Sequence, residues 1–321
     1  MAYQPIAIQE PAPSPATPAP ATGRAAWAAG FVRIGAALSS NRKAVAGVLI
    51  LLFFTVVAIF APLIAPYSPS AEAFAPGMPP SSAHWLGTTS YGQDIFSQLV
   101  WGTRQTLLIG LIGGLAATAL SVFVGVTSAY LGGMPDHVLS VITDIFLVLP
   151  ALPLMIVIAA YEKGGGFWVL VGVIVITGWS FGARQLRPQA QSLRNRDFLE
   201  SARVRGETSA HIIVFEVLPN MVSLIVAIFL GAALYAILAA AGLQFLGLGN
   251  PEDQSWGTML FWGQNQEALM IGSPLWIIAP GACIAALGAA VALINYGVDE
   301  ISNPALRGRK RKKKVYVVPN P

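Results

Sequence analysis

Cysteine is nearly absent. Cys283 stands alone in 321 residues, so no disulfide within the chain can hold the fold. Its place in an apolar run marks it as a small packing residue. Histidine is almost as rare, and His84, His137 and His211 lie far apart in the chain. They lack metal-ligand spacing, and no metal site is expected. Charge is scarce as well, at 11% of residues against an apolar share of 55%, whereas soluble domains carry roughly a quarter charged residues. That deficit excludes a large soluble domain. The chain has room instead for several membrane-spanning helices of about 20 residues each.

Six segments are long and apolar enough to span: residues 44–65, 106–130, 138–160, 166–183, 220–248 and 274–296. Hydrocarbon offers no partner to a free peptide group, so each reads as a helix that pairs its own backbone. An even number of spans puts both termini on one side. Basic residues decide which side, because cytoplasmic loops are rich in Lys and Arg. Of the 19 Lys and Arg residues, 17 fall before the first span, between the fourth and fifth, or after the sixth; only Arg104 and Lys163 fall on the other side. The expectation is an all-α membrane protein of six transmembrane helices with both termini cytoplasmic.

Flanking segments complete the layout. Residues 1–40 are read as a cytoplasmic tail without fixed structure, because the stretch up to Thr22 is rich in proline, alanine and threonine and has no apolar signal core. Residues 41–105 carry the first span and an outer loop. Residues 106–306 form a core of five spans with an inner loop at 184–218, and residues 307–321 form a basic cytoplasmic tail. That tail either anchors the topology or meets anionic headgroups. The two outer loops are acidic and aromatic, and either dock a partner or cap the bundle.

Two features stand out from ordinary spans. The third span carries Asp144, Pro150 and Pro153. A carboxylate inside a span is costly and usually faces a protein interior or a wet cavity, which makes Asp144 a candidate for the translocation path. The prolines remove helical hydrogen bonds and predict kinks. The second feature is the polar stretch 184–216, too long for a simple turn. Asp197 with Glu200 three residues later predicts a helix start. Phe198, Leu199 and Ala202 give that helix an apolar side, and Gly206 ends it through a left-handed conformation. A second short helix starts at Thr208 or Ser209 and runs to Val217, before Pro219.

Here the chain resembles a known family. Glu200-Ser201-Ala202, Gly206, Ile212 and Leu218-Pro219-Asn220 resemble the EAA signature of ABC importer permeases, with Ser201 replacing the first alanine. Other runs are similar to the C-type permease of oligopeptide, dipeptide and nickel importers. These are His84-Trp85-Leu86-Gly87-Thr88 with Gly92, Asp94, Ser97, Gly102 and Arg104, and Tyr130, Gly132, Gly133, Asp136, Asp144 and Pro150. Phe245-Leu246-Gly247-Leu248-Gly249 with Ser255-Trp256-Gly257 is the most specific run, followed by Pro280-Gly281, Asn295 and Asn303-Pro304. The resemblance covers about residues 42–307. Thr89, Gln93, Val141 and Ala240 depart from the pattern, each standing where the family usually has a charge. With Val141 in place of an Arg, Asp144 lacks its partner three residues away; it either pairs with another helix or is neutral.

The resemblance implies a type I importer permease fold and half of a heterodimeric channel working by alternating access. It implies a sister permease, two ATP-binding subunits that hold ATP and Mg, and an extracellular solute-binding protein, with the bilayer around the spans and no nucleic acid. Glu200, Ser201, Ala202, Arg203 and Gly206 would dock an ATPase. The chain itself would hold no cofactor, having no phosphate-binding loop, and would not be an enzyme. It would reside in a prokaryotic cell membrane and carry peptides, or oligosaccharides or nickel chelates. A secondary transporter using Asp144 as an ion site is the competing class. An intramembrane enzyme would need paired catalytic groups that the sequence does not offer.

Overall fold

The computed structural model describes residues 23–161 and 166–302. Among them all regular structure is helical. In order these are α1 (Gly23–Ser40), α2 (Arg42–Ile59), α3 (Ala61–Ile64), α4 (Ile95–Leu131), α5 (Gly133–Val148), α6 (Ala151–Tyr161), α7 (Phe167–Arg194), α8 (Asp197–Val204) and α9 (Ser209–Ile212). A π-helical turn (Ile213–Val217) follows, then α10 (Leu218–Asn220), α11 (Val222–Phe245), α12 (Trp256–Asn265) and α13 (Leu275–Ser302).

Five helices, α2, α4, α7, α11 and α13, are long and apolar enough to cross a membrane, and the bent pair α5–α6 makes a sixth if it is one span. The bend is 87°, sharper than the kink expected at 138–160. The break itself is local: Leu149, pushed to an extended conformation (ψ 130°) by the proline that follows, cannot continue α5. Pro153 is accommodated in the first turn of α6.

Three other boundaries differ from the sequence reading. α1 is a helix within the range expected to lack fixed structure; Trp27 Nε1 donates to the Val214 carbonyl at 3.2 Å and ties it to the π-helical turn. Residues 1–22 lie outside the described residues, as do 303–321 and with them the basic tail. α4 begins at Ile95, three turns before the expected span, because Asp94 caps it by accepting from Ser97 N at 2.8 Å. α7 runs on to Arg194, so the first third of the polar stretch 184–216 is helix rather than loop.

α4 is the hub, packed along α7 and α11, with α2 lying on α13. Small residues set the close approach. A Cβ on Gly125 would lie 2.5 Å from the Ala183 carbonyl oxygen, and one on Gly114 would lie 2.8 Å from Ala233 Cα. On one end the chain between α3 and α4 folds into an ordered cap. His84 Nδ1 lies 2.9 Å from Asp94 Oδ1, both side chains buried, while Asp94 Oδ2 accepts from Ser97 Oγ at 2.7 Å. The turn α8–α9 lies at the other end.

Candidate functional site

α8 is a two-turn helix whose hold on the protein is apolar. Leu199 and Ala202, both fully buried, join Val126 and Tyr130 of α4, Leu186 and Ala190 of α7, Met221 just before α11 and Ile228 within it in one cluster, with Phe198 packed against it. A helix this short has no stability of its own, so this cluster fixes it. Asp197 occupies its first helical position; the capping position is Arg196, and no side chain caps it. Asp197 and Glu200 still favour the helix by placing negative charge in its first turn.

The turn after α8 is a two-bond glycine cap. Glu207 N donates to the Ala202 carbonyl at 3.2 Å and Gly206 N donates to the Arg203 carbonyl at 2.9 Å, with Gly206 at φ +81°. Thr208 then caps α9, accepting from His211 N at 3.3 Å. Arg205 holds Glu207 at 2.7 Å, and His211 lies 3.8 Å from the same carboxylate.

The five residues expected to dock an ATPase divide. Glu200, Ser201, Arg203 and Gly206 are exposed, and Ala202 is buried, its methyl occupied by the chain's own core. Arg203 is also engaged inward: its Nη2 donates to the Arg194 carbonyl at 3.1 Å, its Nε to Tyr130 Oη at 3.4 Å, and its guanidinium lies over the Tyr130 ring. Ser201 Oγ donates back to Asp197. Glu200 and Val204, the latter 84% exposed, are the side chains most open to a partner. The sequence reading passed over Val204, whose signal is an apolar residue opposite Leu199 and Ala202 on a short polar helix.

Glu216, on the π-helical turn, is buried. Burial, reinforced by the nearby Glu207 charge, pushes its carboxyl above the usual glutamate range, against a smaller opposing pull from Arg205 and His211.

Asp144 has a partner on another helix. It pairs with Arg184 of α7, and one turn further along α7 and two turns back along α5 Arg187 grips Asp136 through two bonds of 2.8 and 2.9 Å. The pairs form two rungs between α5 and α7, and Asp144, Arg184 and Arg187 line a cavity of about 330 Å³ with Ser140 and Thr143. The sequence held this signal, though it was not read. Asp136, Ser140 and Asp144 repeat at four residues on one face, and Arg184, Arg187 and Gln191 at three and four on another. Further along α7, Ser121, Thr177, Ser180, Gln185, Tyr235 and Asn295 place polar groups on a cavity of about 650 Å³ that also takes Phe146 and Phe181. Polar groups set among apolar ones in a cavity beside spanning helices are more than simple anchors need.

Bundle, cavity and protruding helix–glycine–helix turn define an integral membrane transport component, and comparison with known proteins agrees. Residues 117–308 match the family described as "Binding-protein-dependent transport system inner membrane component", and residues 31–80 match the "N-terminal TM domain of oligopeptide transport permease C". The chain belongs to this family, and is a permease subunit of a binding-protein-dependent importer in the bacterial plasma membrane.

Among its relatives is the oligopeptide transport system permease protein OppC of Mycobacterium tuberculosis (strain H37Rv). It is 34% identical over 277 residues, which is 84% of this chain and 93% of that protein. The dipeptide transport system permease protein DppC of Alkalihalophilus pseudofirmus is 30% identical over 306 residues, 92% of this chain and 96% of the relative. That of Bacillus subtilis is 29% identical over 272 residues, 84% of each.

Proposed function

We propose that this chain forms half of the translocation path of an ATP-driven peptide importer, with both termini and the α8–α9 turn in the cytoplasm. The distribution of 17 of its 19 basic residues supports the orientation. Relatives named for oligopeptide and dipeptide transport support the substrate class. The chain pairs with a sister permease in a type I importer fold and receives solute from an extracellular binding protein. It responds to two ATP-binding subunits, which carry the ATP and Mg; the permease itself performs no catalysis.

The observation that carries this reading is the anchoring of α8. Its inner residues Leu199 and Ala202 belong to one buried cluster with residues of α4, α7 and α11, while Glu200 and Val204 are exposed. A close-packed cluster transmits displacement rather than absorbing it. Movement of an ATPase against the outer face therefore reaches three spans together and changes the width of the cavity they share with α5, the step that alternating access requires. The Asp144–Arg184 and Asp136–Arg187 rungs keep α5 moving with α7. This pairing also speaks against Asp144 as an ion-coupling carboxylate.

The test uses the whole complex in proteoliposomes with its binding protein. Glu200→Ala and Val204→Asp should each lower both co-purification of the ATP-binding subunits and ATP-dependent uptake of a labelled tripeptide. Unchanged uptake together with unchanged association sinks the coupling role of α8.

A further inference from the structure

Two cavities flank α11. Leu224, Ile228, Gly231 and Tyr235 line the one of about 650 Å³, and Leu230, Ala233 and Ile237 line the other. At about 3.6 residues per turn these two sets occupy opposite faces of the helix. The second cavity is a groove of about 600 Å³ between α2, α4, α11 and α13. Its residues Ile59, Leu108 and Leu111 are exposed, so it opens sideways from the bundle. Its wall is apolar except at two positions. One is Thr55, whose hydroxyl is satisfied by donating to the Leu51 carbonyl at 2.8 Å. The other is Arg104.

Arg104 is exposed and is the sole charged residue on this wall. Among the described residues its guanidinium has no hydrogen bond, ion pair or ring contact. Its depth is set by α4. That helix has 37 residues and is about 55 Å long, against about 30 Å of hydrocarbon in a bilayer. The apolar span within it starts at residue 106, so Arg104 lies at the level of the headgroups, at the end of the bundle away from α8. It is the first α4 residue along the groove, ahead of Leu107 and Leu111. A snorkelling arginine by itself would meet passing headgroups. Here it stands at the head of an apolar channel that runs down the spans. A guanidinium grips phosphate through two parallel bonds, and the groove below accepts the hydrocarbon that a lipid phosphate carries.

We propose that this groove holds one membrane phospholipid, its phosphate on Arg104 and an acyl chain along Leu107, Leu111, Leu230 and Ile237. The choice of occupant rests on reading the cavity of about 650 Å³ as part of the translocation path. The two permeases enclose that path between them, so the opposite face of α11 turns to the bilayer and not to the sister chain. A headgroup of net negative charge suits the site best, because no carboxylate on the wall would receive the ammonium of a zwitterionic one.

The experiment uses the complete complex in proteoliposomes that contain a trace of phosphatidylglycerol with a diazirine on one acyl chain. After irradiation the labelled peptides are mapped by mass spectrometry. Labelling should concentrate on residues 107–111 and 229–237. A diacylglycerol probe with the same photoreactive chain and no phosphate should label these segments about tenfold less, as expected for losing one charge-assisted contact. Arg104→Gln should lower labelling by phosphatidylglycerol to the same degree, and Arg104→Lys, which keeps the charge, should lower it less. Equal labelling by the two probes, or undiminished labelling of Arg104→Gln, overturns the proposal, since the groove would then meet bulk bilayer only. So does an unlabelled groove in a complex that retains its sister permease, since protein would then cover the wall. Vesicles that import a labelled tripeptide without labelling the groove overturn the lipid site and leave the importer reading standing. Phosphate-dependent labelling in vesicles that hydrolyse ATP yet import no peptide overturns the importer reading instead.

Discussion

Replacing Gly206 separates backbone conformation from contact, because the two make different demands at this position. Gly206 holds φ +81°, and a Cβ built there meets nothing within 4 Å. The penalty within this chain is therefore conformational alone, about 1–2 kcal/mol for an alanine forced into the left-handed region. Asparagine visits that region more readily and should lose less; β-branched valine should lose most. The strain is relieved by opening the two hydrogen bonds that close α8, Glu207 to Ala202 and Gly206 to Arg203. A cost of 1–2 kcal/mol shifts the population of the closed turn by roughly 5- to 30-fold. ATP-dependent uptake by the reconstituted complex should then fall in the order Gly, Asn, Ala, Val. Thermal unfolding of the solubilised complex should hardly move, since the spans do not depend on this turn. Equal and complete loss in all three variants would refute the conformational account: with no neighbour inside the chain, only a partner surface closing on position 206 would reject every side chain alike.

Three further outcomes follow from the same packing. Gly125→Ala drives a methyl to 2.5 Å from a backbone oxygen of α7 and should destabilise the bundle by about 1–3 kcal/mol. Gly231→Ala, with open space around its Cβ, should be neutral, and melting of the two variants in detergent compares them. Asp144→Asn strands Arg184 and should reduce membrane yield, while Asp144→Asn with Arg184→Gln recovers part of the loss; both side chains are more than half exposed in the isolated subunit, so a coupling above about 1 kcal/mol in the double-mutant cycle would show that the assembled complex shields them. Glu216→Gln tests the raised carboxyl. A group that holds its proton more tightly when folded costs stability as pH rises from the ordinary glutamate value, about 4.3, through the raised one. The variant should therefore stabilise the loop at about pH 8 and match the parent near pH 4 in proteolysis of the α8–α9 turn.

The spans were legible because a bilayer imposes a length: about 20 apolar residues announce a crossing whatever packs beside it. The same criterion misplaces helix ends, since it senses hydrocarbon rather than helix. α7 passes its last apolar turn and continues through Arg184, Arg187 and Arg194, polar residues that helical backbone tolerates once it leaves the membrane. α4 does likewise at its start, where the signal was the capping Asp94 rather than hydropathy. Local chemistry was readable where one residue decides it, as at Gly206 and Thr208, and at Pro150, whose position was plain although the 87° turn was not. That angle depends on what α6 then packs against.

Partner choice was the least legible layer. Val141 leaves Asp144 unpaired on its own helix, which allows a partner on another helix or a neutral carboxyl; the sequence does not say which, and the cation sits 40 residues away on α7. Ala202 shows the same ambiguity at the site itself. A small residue on a short helix suits a foreign groove or the chain's own core equally well, and only the tertiary placement of Leu199 beside it decides for the core. That decision moves the recognition burden onto Glu200 and Val204. Ala202 then becomes the residue through which force enters the bundle: enlarging it should uncouple movement from docking, leaving an ATPase bound to a permease that no longer responds.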